Sequence, residues 1–160
     1  MQITQELNKS DIELINKLDG PIVVIGASGF IGANLLSVLC KVRDDVFGTF
    51  YSKKGWRLLD FDSEKLIKLD INDENSINEM VKKIYPKIVF NCSSYGAYSF
   101  EKDSAKILNT NYNAILLRSA VASVESQAKH SVIRWNCRPF PVHNKVSSWY
   151  REWEQTPILV

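Results

Sequence analysis

Residues 22–40 read IVVIGASGFIGANLLSVLC: an apolar strand, a glycine-containing turn and an apolar helix in immediate succession. Ile22, Val23, Val24 and Ile25 form a β-branched run between Pro21 and Gly26, the pattern of a strand buried on both faces of a parallel sheet. Gly26, Gly29 and Gly32 follow, with Ile31, Leu35, Val38 and Leu39 at helical spacing. The turn therefore opens into a helix whose apolar face can lie on the sheet. In such a turn the first glycine bends the chain tightly, the second lets backbone N–H groups approach a pyrophosphate, and the third lets helix and strand pack closely. The amino end of the helix then faces the anion, favoured by its unpaired N–H groups and its dipole. The expectation is a bound dinucleotide, with Gly26, Ser28, Gly29, Phe30, Ile31 and Gly32 around its pyrophosphate. A glycine turn that serves packing alone is the alternative.

A chain of 160 residues is the size of one domain with a real core. Twenty basic and 18 acidic side chains leave a net charge of +2, so no imbalance points to nucleic acid or to an anionic membrane surface. Cys40, Cys92 and Cys137 are widely spaced, with no C-x-x-C pair. That usage suits reduced thiols in a cytoplasm better than a disulfide framework or a zinc site; Cys40 and Cys92 read as core. The polar, charged N-terminus lacks a signal-peptide pattern, and no apolar run is long enough to span a bilayer, which fits a cytoplasmic location.

Around the glycine turn the remaining elements fall into order. Residues 1–20 form a helical extension with Ser10 as the expected N-cap, a loose apolar face of Ile12, Leu14, Ile15 and Leu18, and a stop at Gly20 and Pro21. Docking is preferred to an oligomerisation role for it. Residues 46–51 read as a second strand, 53–65 as an irregular connection, and 66–69 as a third strand ending at Asp70. Asn72 or Asp73 can cap a helix carrying Ile77, Met80, Val81 and Ile84 on one face, which Pro86 closes. Residues 88–92 make a fourth strand, left through the small, polar turn Ser93, Ser94, Tyr95 and Gly96. Residues 132–137 are a candidate fifth strand, despite Arg134 and Asn136 within it. The architecture expected is α/β: a doubly wound parallel sheet of order 3-2-1-4, with the fifth strand beside the fourth and helices on both faces. Residues 21–128 form that domain, and 129–160 an atypical tail.

The spacing of GASGFIG, G-x-x-G-x-x-G, resembles the turn of the short-chain dehydrogenase/reductase superfamily, especially its extended branch of nucleotide-sugar epimerases and dehydratases. The resemblance implies a Rossmann-like NAD(P)-binding domain. In that family an NAD enzyme usually carries Asp or Glu about twenty residues beyond the turn. This chain has Ser52, Lys53 and Lys54 there; a cationic pair with a hydroxyl suits a 2′-phosphate, so the lean is to NADP. A solvated loop is the alternative. The segment Leu69, Asp70, Ile71 resembles the one that flanks the adenine, with the Asp70 carboxylate reaching the exocyclic amine; a turn cap is its bland reading. The turn with Ser93 and Tyr95 resembles the one beneath the cofactor's ribose and nicotinamide side. In ILNTNYNAILLRSA the position of Asn111 is that of a family asparagine supporting the active site, on one face with Leu108, Ile115 and Ala122. An amide in an apolar stripe needs a partner, so Asn111 either bonds neighbouring backbone or serves the site.

Catalytic residues remain unassigned. Tyr98 and Lys102 have the Y-x-x-x-K spacing by which a lysine lowers a tyrosine pKa, but the family carries that pair after the fifth strand, and here it reads as chance. The resemblance fades near residue 128. Tyr150 has Glu154 where lysine is needed, and His130 and His143 are isolated, readings for loops or surface rather than metal ligands. Two accounts fit the tail: a chain truncated within the family's fold, its tail altered in frame, or a divergent terminal segment; the first is preferred. The expectation is the NAD(P)-binding part of an epimerase/dehydratase-type oxidoreductase acting on a nucleotide sugar, catalytically incomplete as it stands. A non-enzymatic dinucleotide-binding module, or a remnant of such an enzyme, is the alternative.

Overall fold

Ile22, Val23 and Val24 expose none of their surface and Ile25 exposes 2%, as a β-branched run sandwiched between two helical layers must. The computed structural model describes residues 7–96, 100–112 and 131–134. Within them the elements run α1 Lys9–Asn16, β1 Ile22–Ile25, α2 Phe30–Cys40, β2 Val46–Phe50, β3 Leu66–Lys68, α3 Glu74–Ile84, β4 Ile88–Asn91, α4 Ser104–Tyr112 and β5 Ser131–Arg134. All strand pairs are parallel, in the order β3-β2-β1-β4-β5. β1 is central: Ile22 pairs with Val46 on one side and Ile88 on the other. β5 lies beside β4, with Ser131 opposite Ile88 and Arg134 opposite Asn91.

Side chains of β1 alternate between two cores. Ile22 and Val24 pack with Leu36 and Leu39 of α2, together with Val46, Leu66 and Ile88. Val23 and Ile25 pack with Ile77, Met80, Val81 and Ile84 of α3. Each such buried aliphatic side chain contributes roughly 1.5–3 kcal/mol relative to exposure.

Several local expectations shift. The N-cap of α1 is Asn8, whose Oδ1 accepts from Asp11 N at 2.8 Å; Ser10 donates its hydroxyl to the same oxygen at 2.9 Å. Ile15 and Leu18 pack on the α2-side core, whereas Leu14 is exposed. The extension is also tied down by Arg43, whose guanidinium donates to the carbonyls of Leu18 at 2.6 Å and Ile15 at 3.3 Å. Bidentate bonds to Asp45 at 2.8 and 2.7 Å fix that guanidinium. The buried face of α2 is Gly32, Ala33, Leu36 and Leu39, rather than Ile31, Leu35, Val38 and Leu39; Ile31 is exposed. The helix is apolar almost all round, so periodicity alone does not orient it. Within 53–65, 3-10 turns at Trp56–Leu58 and Ser63–Lys65 bury Leu58. Cys40 and Cys92 are half-buried against the α2-side core, and burial pushes the Cys40 thiol up. Among the described residues no helix is long and apolar enough to cross a membrane. Ala97, Tyr98, Ser99, Ile115, Ala122 and the tail beyond Arg134 lie outside them.

Candidate dinucleotide crevice

At the carboxyl end of β1 the chain must turn at once, and Gly26 does so at φ 74°, a conformation that favours glycine. A Cβ on Gly26 would stand 2.8 Å from Ser93 N. The turn is held by β2: Ala27 N donates to Thr49 O at 2.8 Å, and Gly26 N to Thr49 Oγ1 at 3.3 Å. Gly32, in the first turn of α2, packs so closely that a Cβ would collide with the Gly26 carbonyl oxygen and come within 2.8 Å of its carbon. Gly29 differs. It is the N-cap of α2, with no side-chain cap bond, and a Cβ there would meet only Gly26 O, at 3.3 Å. The first helical acceptor is Gly29 O, bonded by Ala33 N; the N–H groups of Phe30, Ile31 and Gly32 precede it and have no acceptor within the helix. The first turn of α2 carries no charged side chain.

A crevice of about 460 Å³ opens over this turn. Its lining comes from the carboxyl ends of four neighbouring strands: Gly26, Ser28, Gly29, Phe30 and Ile31 after β1, Thr49 and Tyr51 from β2, Asp70, Ile71 and Asn72 after β3, and Cys92, Ser93, Ser94 and Tyr95 after β4. Lys106 and Thr110 of α4 add to it. Phe30, at 63% exposure, faces this space, whereas Ala27 of the same turn is buried in the α2-side core.

Of the residues expected at the site, Gly26, Ser28, Gly29, Phe30, Ile31, Asp70, Ile71, Ser93 and Tyr95 line the crevice. Gly32 packs beneath it. Asp70 Oδ1 accepts from Asn72 N at 2.8 Å, so the carboxylate does cap a turn, while the residue still faces the crevice. Ser93 donates to Asn91 Oδ1 at 2.6 Å, the partner that lets Asn91 be buried. Asn111 stands behind the wall: its Oδ1 accepts from Tyr95 N at 3.2 Å and its Nδ2 donates to Tyr95 O at 2.9 Å. It therefore bonds neighbouring backbone, and through it fixes Tyr95. Leu108, expected on the same stripe, is 65% exposed. Ser52 and Lys53 are exposed and do not line the crevice; Tyr51, just before them, does. Lys54 donates to Ser63 Oγ at 2.9 Å.

Thr49, Tyr51 and Lys106 are additions that sequence reading passed over. Thr49 left a signal, a lone hydroxyl in the apolar run of β2. It is 1% exposed because Gly26 N gives its hydroxyl oxygen a partner. Tyr51 and Lys106 left none, since only the folded chain brings them to the crevice.

A parallel sheet with a glycine turn after its central strand and a crevice at the carboxyl edge defines a Rossmann-type α/β domain. The model of the NAD dependent epimerase/dehydratase family matches residues 22–132, well over half of the chain, and the chain belongs to that family. Comparison with curated proteins gives no match. Among solved structures the chain is similar to the Bordetella bronchiseptica enzyme WbmG in complex with NAD and UDP, at 19% identity and a TM-score of 0.57, over 68% of this chain and 35% of that one. A monomeric L-threonine 3-dehydrogenase from a metagenome matches at 20% identity and a TM-score of 0.56, over 69% and 34%. The Thermus thermophilus UDP-glucose 4-epimerase complex with NAD matches at 17% and 0.56, over 64% and 33%. These likenesses establish the fold. The chain spans about a third of the length of these three solved proteins.

Proposed function

We propose that this chain is the NAD(P)-binding portion of an epimerase/dehydratase-type oxidoreductase acting on a nucleotide sugar. The observation that carries the reading is the uncapped amino end of α2, whose N–H donors open with Gly29 onto the crevice. Gly26, Ser28, Gly29, Phe30, Ile31 and Gly32 surround the pyrophosphate in this reading. Asp70 and Ile71 take the adenine: Oδ1 is spent on Asn72 N, and Oδ2 is left for the exocyclic amine. Ser93 and Tyr95, the latter fixed by Asn111, floor the ribose and nicotinamide side. Bound there, a nicotinamide supplies a hydride acceptor and donor for a sugar carbon.

NADP is the favoured form, with Ser52 and Lys53 toward the 2′-phosphate, because no carboxylate stands beside Tyr51 at the end of β2. UDP and UDP-glucose 4-epimerase among the solved likenesses support the nucleotide-sugar reading. By itself the chain is proposed to be incomplete for turnover. The required proton acceptor, a group worth about 10² to 10⁴ in rate, has no Y-x-x-x-K after β5 to supply it.

Calorimetric titration with NAD and NADP tests the reading. Saturable binding of one or both is expected, with Lys53→Ala weakening NADP several-fold and NAD hardly at all. Absence of binding by the wild-type chain would overturn the assignment; equal losses would overturn the NADP choice alone. Incubation with cofactor and UDP-, dTDP-, GDP- and CDP-sugars should yield no cofactor-dependent product, and turnover would overturn the incompleteness.

A further inference from the structure

On its β4 side the crevice is walled by Tyr95 and by Lys106 from the first turn of α4. Asp103 sets that turn: its Oδ1 accepts from Lys106 N at 3.0 Å, and its carbonyl from Ile107 N at 2.9 Å. The Lys106 ammonium lies 4.5 Å from the centroid of the Tyr95 ring. The backbone that carries the ring is held by the paired Asn111 bonds to Tyr95 N and O and by Gly96 N donating to Glu101 Oε2 at 2.9 Å. Among the described residues no carboxylate pairs with Lys106; the ion pair there is Arg43 with Asp45.

Of the described residues lining the crevice, Lys106 is the one cation, and Asp70, after β3, is the one carboxylate. The crevice thus has an acidic end and a basic end, with the glycine turn between them. N–H donors can solvate a diphosphate, but they carry no net charge to balance it. A ring face holds an exposed ammonium loosely enough that a phosphate oxygen can compete for it.

Resting on the dinucleotide reading above, we infer that Lys106, presented on the Tyr95 ring, is the cation that contacts a diphosphate held in this crevice. The diphosphate has two sources of the same chemistry, the dinucleotide itself and a nucleotide substrate. Lys106 is a binding residue for whichever of them reaches the β4 wall.

The test titrates the chain and its Lys106→Gln and Lys106→Arg variants with NAD, ADP-ribose, UDP and adenosine at low salt. Lys106→Gln should weaken the diphosphate ligand by roughly tenfold, with most of the loss restored by Lys106→Arg and less of it seen at about 0.5 M salt. Adenosine, which has no phosphate, should bind the variant and the wild type alike. Loss for NAD and ADP-ribose assigns the contact to the cofactor, and loss for UDP alone to a nucleotide substrate. Unchanged affinities for all diphosphates in Lys106→Gln would overturn the inference while leaving the dinucleotide reading intact. Equal loss for adenosine would overturn it as well, because a change in wall shape would then be the cause. A wild-type chain that binds no diphosphate would overturn both.

Discussion

Helices α2 and α3 are both 11 residues long and both begin at the carboxyl edge of the sheet, yet their amino ends are finished differently. At α3 the Asp73 carboxylate accepts from Asn75 N at 3.1 Å, Glu74 adds negative charge to the first turn, and Lys82 and Lys83 stand in the last. Tyr85 then closes it in the left-handed region, with its N–H on Val81 O. Every feature complements the helix dipole. At α2 the cap is Gly29, which has no side chain to offer, and the first turn has no charge. At α3 a side chain caps one of the open donors; at α2 none does, and that end faces a 460 Å³ crevice. A helix end left open beside such a space is where an anion belongs.

The largest effect expected from this contrast is at Gly32. A valine there must displace the Gly26 backbone, and the cost should be roughly 2–4 kcal/mol of stability. Urea unfolding reads it; a wild-type midpoint would mean that the third glycine does not hold α2 against β1. Next in size is Asp73→Ala, which should cost about 1 kcal/mol and leave dinucleotide affinity unchanged. A loss of affinity there would erase the distinction between the two helix ends.

The smallest effect lies away from both, at Asp45. The hydrogen bonds from Arg43 hold its carboxyl below the usual carboxylate range. A lowered folded-state pKa contributes stability that is present above the unfolded-state value and lost as pH falls through the folded one. Asp45 is 40% exposed, so solvent screening limits the effect to about 0.5 kcal/mol. Asp45→Asn should therefore lower stability near neutrality by that amount, flatten the acid limb of stability against pH, and match wild type at low pH, where the carboxyl is protonated in both states. A steeper acid limb in the variant would mean that the pair does not stabilise the fold.

Strands and helices with one strong local signal were legible. β1 is an unbroken β-branched run, and α3 has a clean apolar stripe with a cap residue before it and Pro86 after it. The face of α2 was not legible, because Ile31, Leu35 and Val38 are as apolar as Ala33, Leu36 and Leu39; contact with β1 and β2 decides which are buried. Asn8 and Ser10 are both good caps two residues apart, so the start of α1 turned on geometry. At the end of β2 the strand stops at Phe50, so Tyr51 lines the crevice and Ser52 and Lys53 stand exposed just beyond it, a placement that the residue count alone does not resolve. An offset of one residue at a strand end changes which side chain faces the crevice. Lys106 was out of reach for a different reason: its position over Tyr95 follows from how α4 returns to β4, which no local pattern encodes.

Gly29→Asp tests the central claim most directly. The backbone of Gly29, at φ −74° and ψ 171°, is an ordinary extended conformation, and its side-chain direction meets only Gly26 O. With the Gly26 carbonyl, 3.3 Å from that Cβ position, giving way by a few tenths of an ångström, aspartate caps α2 as Asp73 caps α3 and sets its own carboxylate where the pyrophosphate would lie. Unfolding and dinucleotide titration are measured on the same sample. The account predicts a stability equal to wild type or up to about 1 kcal/mol higher, with NAD and NADP affinity reduced by at least tenfold. Wild-type affinity in a folded Gly29→Asp chain would contradict it.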